Sequence, residues 1–97
     1  MKTTREYIEL LRLFKEREAG NYGISRLCLF GSVARGEQHE GSDVDVCVEC
    51  PPVGLFMLGS IKERLEQLLG CPVDLIRFRE KMNVLLREQI GREGIYV

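Results

Sequence analysis

The pattern that decides the fold lies in residues 24–49, which read ISRLCLFGSVARGEQHEGSDVDVCVE. The mostly apolar run Ile24–Phe30 predicts a largely buried first strand, which Gly31 and Ser32 end abruptly. Valine alternates with more polar residues across Val44–Val48, and this period of two residues predicts a second strand. The polar, glycine-containing connection between them indicates that a short turn of the chain joins the two strands.

The segments outside this pair of strands alternate between helical and extended patterns. Thr3 stands three residues before Glu6, the spacing of a capping box, and opens a helix that ends before Gly20. Downstream, the patterns predict a helix at Gly54–Leu69, a strand at Val73–Phe78, a helix at Asn83–Glu93 and a short edge strand at Ile95–Val97. This alternation predicts an α/β fold, in which the strands around the middle helix are parallel and joined by a right-handed crossover.

The composition is that of one small globular domain spanning residues 1–97. Fourteen basic and fifteen acidic residues give a net charge of −1, which excludes a highly basic nucleic-acid coat. No apolar run approaches the roughly 20 residues that cross a bilayer, and Lys2–Arg17 is too charged for a signal peptide. We therefore expect a soluble cytoplasmic protein, whose small size means that a partner subunit, another copy included, could contribute to its stability.

The four cysteines allow three interpretations. Cys28 and Cys71 lie within apolar segments, as structural thiols do. Cys47 and Cys50 have the C-x-x-C spacing of a redox pair, whereas a zinc site would require the other two cysteines to converge on them. We expect structural thiols and keep the redox pair and the zinc site as alternatives.

Two carboxylates stand where the second strand begins. Asp43 and Asp45 are two residues apart on a strand, so their side chains project from the same face, roughly 7 Å apart along the chain. Within about 4 Å of each other, two such charges would repel by about 4 kcal/mol at an effective dielectric constant near 20. They therefore need a cation, a basic neighbour or a shared proton. Their hard oxygens suit Mg²⁺ or Mn²⁺, which also bind phosphate oxygens.

Asp74 is a third acidic candidate, flanked by apolar residues in the predicted third strand. A carboxylate in a buried strand needs a reason, because burial without a partner is costly. If the third strand lies beside the second, Asp74 reaches metal ions held by Asp43 and Asp45. Three carboxylates with two divalent ions about 3.5–4 Å apart form the recurring arrangement for in-line phosphoryl or nucleotidyl transfer.

Gly31 and Ser32 are candidates for binding phosphate. A glycine at a strand end lets the backbone approach an anion closely, and the residues after it can form a short helix whose amides point at that anion. The Ser32 hydroxyl adds a further donor. Arg35 could contact a phosphate, or could equally pair with Glu37.

Each of these features also has an ordinary structural interpretation. A glycine–serine pair after a strand is usually a turn, and an Asp-x-Asp pair is more often a solvated edge or a cap than a metal site. Asp74 could be the salt-bridge partner of Arg77 or Arg79. The conjunction favours function, because Gly-Ser-x10-Asp-x-Asp arises by chance in roughly one chain per thousand of this length.

The segments Phe30–Gly36 and Ser42–Val46 resemble the G-S-x10-D-x-D signature of minimal nucleotidyltransferases of the DNA polymerase beta superfamily. Val73–Ile76 resembles the third-acid strand of that family and Leu85–Gly94 its closing helix, so only the first helix is poorly marked. The resemblance implies the nucleotidyltransferase fold, a small mixed sheet of three to four strands. It also implies helices packed mainly on one face and an open metal–nucleotide site on the other.

The resemblance further implies a reaction, the transfer of a nucleoside monophosphate, usually AMP from ATP, to an acceptor hydroxyl, with pyrophosphate leaving. Asp43 and Asp45 would bind both metal ions, and Asp74 would complete the site for the ion that activates the acceptor. Gly31 and Ser32 would hold the β- and γ-phosphates.

Many small members of this family are similar to antitoxins that silence a HEPN-type RNase toxin by adenylylating a tyrosine, so the resemblance implies such a toxin as the partner. Only about twenty residues follow the third acidic strand, so phosphate and metal would provide most of the grip on the nucleotide, and a second protein would position the acceptor. The alternative from another class is a binding module of the same fold, which neutralises a partner by covering it, with catalysis dispensable.

Overall fold

The computed structural model describes residues 1–97. In chain order its elements are α1 (Thr4–Arg17), a 3-10 turn (Ala19–Tyr22), β1 (Arg26–Phe30), α2 (Gly31–Ala34), β2 (Val44–Glu49), α3 (Leu55–Leu69), β3 (Val73–Arg77), α4 (Val84–Glu93) and β4 (Ile95–Tyr96). The predicted alternation of helices and strands is confirmed, with the short helix α2 following β1 directly. None of the helices combines the length and the apolar character that a membrane span requires.

The four strands form one mixed sheet in the order β3-β2-β1-β4. β2 is antiparallel to β1 and parallel to β3, and β4 adds an antiparallel edge strand beside β1. The predicted parallel pairing around the middle helix, α3, is therefore confirmed. The central position of β2 matters for function, because each residue from Asp45 to Val48 has a partner on both β1 and β3.

The two faces of the sheet are covered unequally. α1 and α3 pack on one face, where they form the main core of fifteen buried residues, including Leu11, Leu29 and Leu65. Each fully buried leucine contributes roughly 1.5–3 kcal/mol through its removal from water. On the other face, α4 packs against the sheet through Ile90. A second cluster of five buried residues lies there, Cys28, Phe30, Cys47, Met82 and Ile90. The helices thus lie mainly on one face, as predicted, while α4 covers part of the other.

α1 begins where the sequence predicts a capping box. The Thr3 hydroxyl accepts a hydrogen bond from the Glu6 N–H at 3.1 Å, and the Glu6 carboxylate accepts one from the Thr3 N–H at 2.9 Å. These reciprocal bonds satisfy backbone donors that have no partner within the helix. From this start, α1 presents Tyr7, Leu11 and Phe14 to the main core.

Two details differ from the sequence-based expectations. β1 begins at Arg26 rather than Ile24, because the Ile24 N–H donates to the Ala19 carbonyl of the preceding turn at 3.0 Å. β3 is an edge strand, so Asp74 is exposed and not enclosed in a buried strand. The expectation that Asp74 lies in a buried strand is therefore wrong, and Asp74 matters instead because it lies beside Asp45.

Replacing Thr3 by alanine tests the capping box. We expect Thr3→Ala to lower the free energy of unfolding by about 1 kcal/mol, because the first turn of α1 loses its side-chain acceptor. Urea denaturation of the purified chain measures this change. Glu16→Ala, at an exposed position of the same helix, is the control and should stay within about 0.5 kcal/mol of the wild type. Equal losses in the two variants would contradict the assignment.

Candidate active site

Asp45 and Asp74 lie side by side on neighbouring strands, because the parallel register of β2 and β3 pairs them directly. Val44 and Val46, on either side of Asp45, are buried in the main core, so Asp45 projects from the opposite face. Asp74 projects from that same face, as register partners do. Asp43 lies two residues before Asp45, in the exposed segment that leads into β2. The structure thus gathers the three predicted carboxylates at the start of β2 and β3.

The carboxyl group of Asp45 shows the effect of its surroundings. Burial, the charge of Asp74 and the charge of Asp43, in that order, raise the pKa of Asp45 from 3.8 to about 6. A hydrogen bond with the Asp74 side chain adds to this rise, while the charge of Arg35 opposes it. The free protein therefore crowds like charges at this point without an adjacent cation strong enough to balance them.

The three carboxylates do not form a finished metal cage, since no three His, Cys, Asp or Glu side chains are arranged tightly enough to hold an ion. Their chemistry nevertheless fits a hard divalent cation. The donors are all oxygens, and a cation would lower the raised pKa of Asp45. Mg²⁺ commonly binds one or two carboxylates together with water and substrate phosphates, so it does not require a complete protein cage. The residues present therefore fit a metal that binds together with a phosphate.

Gly31 lies directly against the Asp45 carboxylate. Phe30 pairs with Asp45 in the antiparallel register, so the chain leaves β1 at the level of this carboxylate. Gly31 has a φ of +77°, in the left-handed region that favours glycine, and a Cβ atom there would overlap Asp45 Oδ2. Only glycine meets both requirements. Its backbone, with the half-buried Ser32 next to it, is thereby placed beside the acidic cluster.

Arg35, at the end of α2, pairs with two carboxylates. Its Nε donates to Glu37 Oε1 at 3.0 Å, and its Nη1 donates to Glu93 Oε2 at 2.7 Å. The hydrogen bond with Glu37 is the first cause of a raised pKa for the Arg35 guanidinium, which keeps its charge. The sequence allows two roles for Arg35, contact with a phosphate or an ion pair with Glu37. The structure shows the Glu37 pair and adds the contact with Glu93.

Glu93 is a residue of this site that the sequence analysis missed. It was predicted only as the end of the last helix, yet its Oε2 also accepts the Gly31 N–H at 3.0 Å, 62 residues away along the chain. No local pattern signals a contact over that separation. Gly94, the next residue, is so closely packed that a Cβ atom there would overlap the Ile90 carbonyl and Cys28 Sγ. α4 thus lies at the border of the site and presents the Glu93 carboxylate to it, next to the tightly packed backbone of Gly94.

The cysteines are not arranged for redox or metal chemistry. All four thiols are free, and Cys28 and Cys47 are cross-strand neighbours in the second cluster. Cys50 and Cys71 pack against the main core on the other face. Burial raises the pKa of Cys28 to about 11 and that of Cys47 to about 12, so neither is a reactive thiolate at neutral pH. Structural thiols are confirmed, and both the redox pair and the zinc site are wrong.

The acidic cluster lies on an open surface. None of its three carboxylates lines a cavity of the structure. The largest cavity, about 470 Å³, lies around Ser25 and Glu49, at the other end of β2. The site therefore offers charged and polar contacts to a ligand rather than an enclosing pocket.

Sequence comparisons agree with this geometry. Residues 8–97 match the family model of the nucleotidyltransferase domain. A protein of Methanocaldococcus jannaschii assigned as a protein adenylyltransferase is 38% identical in an alignment of 102 positions that covers the whole of both chains. The protein adenylyltransferase MntA of Thermococcus cleftensis is 33% identical in an alignment of 98 positions that covers all of this chain and 98% of the relative.

Solved structures show the same fold. A minimal nucleotidyltransferase matches with a TM-score of 0.73 at 33% identity, over 97% of this chain and 95% of the other. A chain of a toxin–antitoxin complex with AMP-PNP gives 0.72 at 23% identity, over 93% and 70%. The tri-AMPylated Shewanella oneidensis HEPN toxin in complex with its MNT antitoxin gives 0.61 at 21% identity, over 96% and 66%; at such identities the likeness establishes the fold alone. As its Gly-Ser and Asp-x-Asp segments predicted, the chain belongs to the nucleotidyltransferase domain family.

Proposed function

We propose that the protein transfers AMP from ATP to a tyrosine hydroxyl of a HEPN-type toxin and so acts as an antitoxin. The observation that carries the proposal is the pairing of Asp45 with Asp74 beside the Gly31 turn, which sets an acidic cluster next to backbone donors. Relatives named as protein adenylyltransferases support the activity, and the fold neighbours from complexes with AMP-PNP and with a HEPN toxin support the nucleotide and the acceptor. A cytoplasmic location, where ATP is available, belongs to the same proposal.

In this proposal Asp43, Asp45 and Asp74 would hold two Mg²⁺ ions, for which Mn²⁺ could substitute. Such ions stabilise the charge that develops on phosphate oxygens and make the acceptor hydroxyl more acidic. The chain contributes three carboxylates on one face, two of them fixed by strand register and one at the entrance to β2. The raised pKa of Asp45 in the free protein supports this role, because burial and then the charges of Asp74 and Asp43 disfavour its ionised form, which a cation would favour.

Gly31, Ser32 and Arg35 bind the phosphates. The Gly31 N–H and Arg35 Nη1 already converge on one carboxylate oxygen of Glu93, so a phosphate oxygen at that position would receive both hydrogen bonds. Ser32, which follows Gly31 directly, adds a hydroxyl donor. The Gly31 backbone also lies against the Asp45 carboxylate, so a triphosphate bound to these donors would lie next to the acidic cluster.

The reaction is an in-line displacement at the α-phosphorus of ATP. The tyrosine oxygen forms a bond to this phosphorus while the bond to the bridging oxygen of the β-phosphate breaks, and pyrophosphate leaves. The hydroxyl proton passes to a carboxylate of the acidic cluster. Because the cluster lies on an open surface, the toxin must present its tyrosine in the correct place, and such positioning provides a large part of the rate.

Removing single carboxylates tests the reaction. Asp45→Asn and Asp74→Asn should each lower the transfer of labelled AMP to the toxin by at least about a hundredfold, because a metal ligand contributes several kcal/mol to the transition state. The measurement is the incorporation of label by a HEPN-type toxin incubated with this chain, ATP and Mg²⁺. Glu49→Gln, at the far end of the same strand, is the matched control and should retain the activity.

Wild-type transfer by Asp45→Asn would show that the proposed reaction is wrong. A different result would distinguish the alternative function, in which the protein neutralises its partner by binding without catalysis. If the carboxylate variants transfer no label and still neutralise the toxin completely, the protein acts by covering its partner.

The pKa of Asp45 predicts how stability changes with pH in the metal-free protein. The pKa is raised from 3.8 to about 6 on folding, so between these pH values the folded state retains a proton that the unfolded chain releases. The free energy of unfolding should therefore fall as pH rises through this range. Melting temperatures in EDTA from pH 4 to pH 7 measure the trend, and the difference between wild type and Asp45→Asn gives the contribution of the Asp45 carboxyl.

Added Mg²⁺ should stabilise the wild type more at pH 7 than at pH 5, because protons compete with the ion for the carboxylates. Equal stabilisation at the two pH values would contradict this metal site.

Two glycine variants separate backbone strain from the close approach at the site. Gly31→Ala and Gly41→Ala both place alanine at a positive φ, +77° and +86°, but only the first Cβ overlaps the Asp45 carboxylate, and the second meets open space. We expect Gly41→Ala to lose about 1 kcal/mol of stability and to keep AMP transfer. Gly31→Ala should lose more stability and at least about tenfold in transfer, since the carboxylate must move. Matching activities in the two variants would argue against the role of this contact.

A further inference from the structure

Glu93 occupies the two donors to which the proposed function assigns a phosphate. Its Oε2 accepts the Gly31 N–H at 3.0 Å and Arg35 Nη1 at 2.7 Å, and its side chain is only 16% exposed. Two donors that converge on a single oxygen define an anion position. In the free protein this position holds a carboxylate from the chain itself.

We propose that Glu93 is an internal substitute for a phosphate oxygen, which holds the Gly31 N–H and Arg35 Nη1 until the triphosphate of the nucleotide displaces it. This inference rests on the proposed function, because it concerns the same donors and the same ligand. Beyond the proposed function, it states that the triphosphate binds by replacing the Glu93 carboxylate at these donors. When pyrophosphate leaves, Glu93 returns to the donors and opposes rebinding of the product.

The surroundings of Arg35 allow such an exchange. Glu37 holds Arg35 Nε through Oε1 at 3.0 Å, so the guanidinium keeps one partner while Nη1 changes from Glu93 to a phosphate. The close packing of Gly94 against Ile90 and Cys28 restrains the backbone next to Glu93. The carboxylate must therefore leave by rotation of its own side chain, which has three rotatable bonds. No large movement of α4 is required.

The energetics favour release only when the incoming anion brings cations. Glu93 lies in the last turn of α4, where the helix dipole disfavours a negative charge, so its position depends on the two donors that it accepts from. A bare triphosphate would nevertheless be repelled by Asp43, Asp45 and Asp74 nearby. A triphosphate bound to Mg²⁺ meets these carboxylates with about half of its negative charge neutralised, and the cation itself attracts them. The exchange is therefore expected for the Mg²⁺ complex of the nucleotide.

Glu93→Gln tests the inference by removing the charge while keeping an oxygen acceptor of the same reach. We expect the dissociation constant for Mg²⁺–AMP-PNP to fall by about three- to tenfold, because hydrogen bonds to a neutral acceptor are about half as strong and easier to displace. Calorimetric titration of the full chain measures this constant. Glu88→Gln removes the same charge from an exposed position of the same helix and should leave the constant unchanged.

A second variant, amide spectra and thermal melts separate the exchange from a loss of folding. Glu93→Asp keeps the charge but is one methylene shorter, cannot reach both donors, and should also tighten binding. In ¹⁵N spectra, the Gly31 amide signal should shift in free Glu93→Gln and, in the wild type, on addition of Mg²⁺–AMP-PNP. Thermal melts establish that the variants are folded.

The outcomes are distinct. Unchanged or weaker nucleotide binding in both Glu93 variants would overturn the inference, and weaker binding would make Glu93 a positioning residue for Arg35. Nucleotide binding by the wild type is the separate condition for the proposed function. If the wild type binds no Mg²⁺–AMP-PNP, the proposed function fails, and the exchange at Glu93 fails with it.

Discussion

The contact between the Asp45 carboxylate and the Gly31 backbone is the constraint on which the rest of the site depends. Asp45 lies on the central strand, paired with Phe30 on one side and with Asp74 on the other, so one side chain meets both halves of the site. A slip of one residue in either pairing would turn Asp45 toward the main core. The buried valines on either side of Asp45 prevent that slip, because they would then face water. The apolar core thus fixes the geometry of a polar site.

Holding these carboxylates together costs stability in the free protein. The raised pKa of Asp45 records this cost, which arises from burial, then from Asp74 and then from Asp43. A cation that binds here relieves the repulsion, so part of its binding free energy comes from strain already present in the folded chain. At Gly31 and Arg35 the charges are balanced differently, since the Glu93 carboxylate accepts from both donors. Like charges therefore meet at Asp45, whereas opposite charges meet at Glu93.

Local sequence patterns predicted most of the fold and the three carboxylates of the acidic cluster, but they did not predict the role of Glu93. The Gly-Ser and Asp-x-Asp segments are short-range signals, and alternation of valine with aspartate fixes which face each side chain takes. Short-range patterns do not predict the order of the strands in the sheet or the contacts between residues far apart in the chain. Nothing around Asp74 shows that β3 is an edge strand, and nothing around Glu93 shows that it meets Gly31. Both depend on how separate segments pack.

The edge position of β3 decides how the proposed reaction can be selective. Asp74 is exposed and no further strand lies beyond β3, so the chain provides no wall on the acceptor side of the cluster. A toxin that brings its tyrosine to this carboxylate must cover the same surface with its own residues. Recognition of the partner and positioning of the acceptor then become one contact. Under this proposal, the chain modifies a single protein selectively, because only a protein that fits over the open edge places its hydroxyl in line.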